Sequence, residues 1–220
     1  MSKQKKLKRK SNNKRKLIVC FLIVLLILGG YFGYNKFFNK TKVSAPKVVD
    51  EIKSFNYVVN ENDTKLFKKN FNELKEVLGK KEVDNQKYAE VIAKLFVIDF
   101  FSLNNKTSKN DVGGVQFVYS TYQSDFVDYA RDGIYKQVKN GIDSKVNQNL
   151  PLVKSITVTN CEEIDPSGIF DSEYYQAQEG KKGYEVSVEW DYNNGSGFQT
   201  KAVLTIVPDN DKLSIAKMEE

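Results

Sequence analysis

From Leu17 to Tyr34 the chain runs LIVCFLIVLLILGGYFGY, uncharged and almost wholly apolar, directly behind a segment with nine Lys/Arg and no acid. No water-exposed element accommodates such a run. A helix of that length reaches roughly 27 Å at about 1.5 Å per residue, close to a hydrocarbon core of about 30 Å once Tyr31, Phe32 and Tyr34 settle at the interface. The basic cluster Lys3, Lys5, Lys6, Lys8, Arg9, Lys10, Lys14, Arg15 and Lys16 outweighs Lys36, Lys40, Lys42 and Lys47 on the other side. The positive-inside rule therefore predicts a cytoplasmic amino terminus and a carboxy-terminal domain outside the cytoplasm, in a single-pass protein of the cell membrane. A cleaved secretory signal fits less well, because the apolar run is long for one and the nearest A-x-A-like site, Val43-Ser44-Ala45, lies well beyond it with Pro46 next. Cys20 sits at the start of the run, where a lipidated cysteine would stand at its end.

The net charge of +6 is unevenly spread. Every basic residue up to Lys47 is without an acidic counterpart, whereas from Val48 onward 21 basic residues face 28 acidic ones. The outer part is net −7, so binding of nucleic acid there is not expected, since a phosphate backbone requires local positive charge. The basic tail is expected to serve as a topogenic signal, and anionic lipid would attract it at roughly 1 kcal/mol per basic residue near the surface. The chain has no histidine. Ser-His-Asp and Cys-His catalysis, imidazole zinc ligation and a histidine pH switch are thereby excluded. Its two cysteines, Cys20 in the span and Cys161 in the outer part, cannot pair within the chain. Cys161 reads as a small buried apolar residue. No cofactor or metal ion is expected.

The organisation follows from the periodicities. Residues 1–16 form the basic cytoplasmic tail, 17–34 the membrane helix, 35–53 a polar, lysine-rich tether, and 54–220 the outer domain. Phe55, Tyr57 and Val59 alternate as a short strand. Asn62-Asp63-Thr64 supplies capping oxygens for a helix to about Gly79, with Phe67, Phe71, Leu74 and Leu78 on one face. A second helix from Asp84 carries the wide set Tyr88, Val91, Ile92, Leu95, Phe96, Ile98, Phe100 and Leu103, the mark of a helix covered on more than one side. Asn104–Gly114 reads as a flexible break, and Gln116–Tyr122 fits either strand or helix. Ser124 or Asp125 caps a third helix with Phe126, Tyr129, Ala130, Ile134, Tyr135 and Val138 on its apolar side.

After Asn147 the period becomes two. Leu152–Cys161 is one strand, and Tyr184, Val186, Val188, Trp190 and Tyr192 alternate with polar residues in a second, the even positions reading as core. Phe198–Val207 and Lys212–Met218 complete an antiparallel meander. An acidic loop from Glu162 to Gly180 separates the first strand from the rest and is long for a hairpin.

Helices first and an antiparallel sheet afterwards predict an α+β domain of about three helices packed on a curved antiparallel sheet. From Asp63 to Met218 this layout resembles the nuclear-transport-factor-like cone fold. With one amino-terminal anchor, the whole is similar to the inner-membrane scaffold proteins of type IV secretion and conjugation. The resemblance implies protein-protein contacts in an envelope assembly, with envelope proteins or a second copy as partners beside the lipid bilayer. Enzymes sharing the cone use a pocket carboxylate as a base. The corresponding candidate is Asp99, the one acid within Phe96-Val97-Ile98-Asp99-Phe100-Phe101, set against a structural role for the same acid. The outer domain is expected to be non-enzymatic, the alternative being a cone that binds or transforms a small apolar ligand. Tyr174, Tyr175, Glu162, Glu163 and Asp165 are the candidate partner contacts. The acids of this loop lack the regular spacing of a calcium site.

Overall fold

The computed structural model describes residues 46–138, 150–168, 180–194 and 197–220, all within the unit Ala45–Glu220. The segments expected as basic tail, membrane helix and tether, up to Ala45, lie outside the described residues. Among those described, no helix is long and apolar enough to cross a membrane.

The first ordered pairing is a correction. Val48–Ile52 is a strand (β1), antiparallel to β2 at Tyr57–Asn60, so the stretch 48–53 is not tether. Between them Lys53–Phe55 forms one 3-10 turn, closed by Asn56 in the left-handed region at φ 55°. The strand carries no apolar alternation because Val48 and Val49 are about half exposed; backbone pairing holds it rather than burial.

Helix α1 spans Lys65–Leu78. Thr64 Oγ1 accepts the Phe67 amide at 3.0 Å, which satisfies one of the orphan donors of the first turn. Phe67, Phe71, Leu74 and Val77 are buried along one face, while Leu78 is half-buried at the end. Helix α2 spans Asn85–Phe101 and starts on Asp84, whose carboxylate accepts the Lys87 amide at 3.0 Å. It is buried almost all round. Glu73 of α1 takes Lys94 of α2 at 2.6 Å, and at the far end the Phe101 ring lies 4.8 Å from that of Trp190.

Helix α3 is shorter than its apolar pattern suggests. It runs Gln123–Asp132, begins without a side-chain cap, and stops at Gly133, whose amide donates to Tyr129 O at 2.9 Å. Ile134–Gln137 continues as a 3-10 turn. Glycine is a poor helix former, and the change of path at Gly133 lets Tyr135 and Val138 reach the core while Tyr129 is left 81% exposed.

The second sheet has the order β3-β4-β5-β6, all antiparallel: Val153–Ile164, Gly183–Tyr192, Lys201–Asp209 and Lys212–Glu219. Tyr184, Val186, Val188 and Trp190 are buried as the alternation requires. Strand β3 extends three residues past Cys161, so Glu162 and Glu163 are strand residues and not loop. Cys161 itself is only half-buried. Residues 115–122 are neither helix nor strand but two 3-10 turns, with Val118 bridged in parallel to Ile215 and the Tyr119 amide on Ile215 O at 2.8 Å. The domain is thus α+β, with three α-helices and two antiparallel sheets among the described residues.

Candidate functional site

Asp99 stands near the end of α2, one turn before the helix gives way at Ser102. Its Oδ1 receives the Lys106 ammonium at 2.5 Å and its Oδ2 the Gly114 amide at 2.7 Å. The Lys106 side chain is 4% exposed. Burial on its own would lower the Lys106 pKa, but the Asp99 carboxylate, helped by Tyr135 and Asp111, more than offsets it and holds the ammonium above its ordinary range. Tyr135 completes the arrangement, donating its hydroxyl to Phe100 O at 2.8 Å and accepting the Gly113 amide at 2.9 Å. The backbone of Gly113 approaches so closely that a Cβ there would sit 2.3 Å from Asp99 O. Asn104–Gly114 is therefore tied down rather than flexible, with Asp111 Oδ2 also taking the Thr107 amide at 2.9 Å. Both Asp99 oxygens are engaged by an ammonium or an amide. A general base needs a lone pair directed at a substrate proton, and here one lone pair of each oxygen is already taken by a partner within the fold.

Asp63, in the turn before α1, accepts the Asn60 amide at 2.7 Å. Burial, reinforced by the Asp99 charge, raises its pKa to about 6.

The acidic candidates divide. Glu162 and Glu163 are exposed on β3; Glu162 Oε1 accepts the Asn160 side-chain amide at 2.9 Å, and Glu163 pairs with Lys182 at 3.3 Å. Asp165 follows the strand, and its carboxylate is held below the ordinary range by the Ser167 amide, at 3.0 Å. Tyr174 and Tyr175 lie outside the described residues. Among the described residues no three acids or thiols converge as a metal site. The Cys161 thiol is pushed up to about 11 by burial and by Glu90 and Asp84, which leaves it a weak nucleophile at neutral pH.

One surface feature escaped sequence reasoning. An apolar groove of about 330 Å³ lies between α3 and β6, walled by Phe96, Val118, Phe126 and Ile215 and edged by Tyr129 and Met218. Tyr129 at 81% and Met218 at 36% are two of the large apolar side chains the domain leaves exposed. The apolar pattern of α3 had assigned Tyr129 to the core. Only the position of Gly133 hinted that the helix would stop and turn this ring outward. No protein-family model, curated protein or solved structure matches the chain.

Proposed function

We propose that this chain is a single-pass membrane protein whose amino terminus is cytoplasmic and whose α+β domain stands outside, where it acts as a non-enzymatic protein-interaction module with a cone-like fold. In this reading it works in the manner of the inner-membrane scaffolds of secretion and conjugation channels. The observation that carries the interaction reading is the groove between α3 and β6, where an aromatic ring and a methionine edge an apolar floor. Tyr and Met are enriched in the cores of protein interfaces, and an exposed tyrosine at this degree is anchor material. The occupant we infer is an apolar segment of an envelope protein or of a second copy, with Asp125 and Lys217 on the rim to set its orientation. Engagement of both Asp99 oxygens supports the non-enzymatic side.

The rival reading is a small apolar ligand in the same groove, whose volume lies in the range of about 300–1,000 Å³ usual for ligand sites. A photo-crosslinking amino acid in place of Tyr129, in the full chain in its own membrane, distinguishes the two. A discrete protein adduct, lost in Phe126→Glu, is the expected result. Absence of any adduct, together with saturable uptake of an apolar dye by the groove, would establish the rival.

A further inference from the structure

The outer edge of β6 changes character halfway along. Up to Ile215 it is closed: Tyr57 donates its hydroxyl to Leu213 O at 3.2 Å, the Leu213 amide donates to Tyr88 Oη at 3.3 Å, and the Tyr119 amide donates to Ile215 O at 2.8 Å, beside the parallel bridge of Val118 to Ile215. Leu213, Ser214 and Ile215 are accordingly buried. After Tyr119 the covering segment turns away into α3, and among the described residues nothing takes its place along residues 216–219. Lys217, Met218 and Glu219 are exposed, although they pair in regular register with Thr205, Leu204 and Val203 on the other side. An edge strand presents the N–H and C=O of every second residue outward, so this stretch keeps backbone donors and acceptors to which another strand can add.

The open edge adjoins the apolar groove. Ala216, Lys217 and Met218 form the β6 wall, opposite Phe126 and the exposed Tyr129 ring of α3. An unpaired edge beside an apolar wall suits an extended chain, which pairs its backbone with β6 and sends alternate side chains toward α3. A helix or a small apolar ligand would leave the edge unpaired. Charge selects whose strand it is. Lys217 and Glu219 stand two residues apart on one face of β6, whereas Met218 pairs with the buried Leu204 and so lies on the helix side. In an antiparallel pair of two such strands centred on Met218, Lys217 of each copy faces Glu219 of the other, and the two methionines meet beside the groove. The same strands set parallel and in register would oppose like charges. The strand is thus complementary to itself in the antiparallel sense.

We propose that residues 216–219 of β6 pair antiparallel with the same strand of a second copy, joining two four-stranded sheets across a twofold axis and setting the partner subunit's Met218 against Tyr129 and Phe126. The inference rests on the interaction reading of the groove and names the second copy as its occupant. Sedimentation of the full chain in neutral detergent at low salt tests it, and the parent is expected to dimerise. Lys217→Glu and Glu219→Lys each place two like-charged pairs in the interface, so either variant alone should associate roughly tenfold more weakly. An equimolar mixture of the two should recover the parent's association, because in the mixed pair every acid again faces a lysine. Mixing leaves the contacts within each chain unaltered, so the recovery reports the contact between copies. Tyr129→Ser, which removes an exposed ring, should also weaken association. A monomeric parent, a dimer indifferent to both charge variants, or variants that fail to recover when mixed would overturn the proposal. Those results leave the interaction reading standing if the crosslinker at Tyr129 captures a different protein, whereas absence of any adduct removes both.

Discussion

Single residues carry their effects through what they leave buried. Asp99 was conspicuous in the sequence as an acid among phenylalanines and isoleucines, but its partner was not: Lys106 lies seven residues on, beyond the end of a helix, in a stretch with no periodicity to place it. With the pair identified, Asp99→Asn is predicted to cost about 3–5 kcal/mol, the usual penalty for stranding a buried charge. The double change Asp99→Asn/Lys106→Met should recover much of that loss, as denaturant midpoints would show. Asp63 makes a pH prediction of opposite character. Its folded-state pKa, about 6, lies above the ordinary 3.8, so the folded chain holds this proton more tightly than the unfolded chain does. The stability this gives is complete below the ordinary value and is lost as pH rises through about 6. Asp63→Asn keeps an acceptor for the Asn60 amide and never ionises. Relative to the parent it should therefore gain stability between pH 4 and pH 7, with the two converging at acid pH; urea midpoints across that range check the sign.

At the scale of elements, legibility tracked burial. Helices α1 and α2 announced themselves because capping side chains precede them and apolar residues repeat at helical spacing, and the strict alternation of β4 did the same for the sheet. Thr64→Ala removes the acceptor for the Phe67 amide, and a loss of about 1 kcal/mol is expected, visible as a lower melting temperature. The elements that went unread are those in which pairing or a single glycine outweighs pattern. Strand β1 is half exposed and offers no alternation, and β3 continues through two glutamates because β4 is long enough to pair with them. In α3, Gly133 ends a helix whose apolar side chains alone would carry it to Val138. The groove went unread for the same reason, since its edge is a tyrosine that the truncated helix turns away from the core.

For the whole molecule, the separation of charge sets the account. Nine basic residues precede the apolar run and four follow it, while the domain beyond is acidic. An interaction module on that domain has meaning only if the domain stands where envelope partners are, and this depends on the segment Leu17–Tyr34 crossing the bilayer once with its basic flank inside. The direct measurement is the activity of two reporters fused after Glu220 of the full chain, one active only outside the cytoplasm and one active only within it. The account predicts signal from the outside reporter alone, reduced when the nine basic residues are moved to the far side of the run. Signal from the cytoplasmic reporter in the unaltered chain would contradict it.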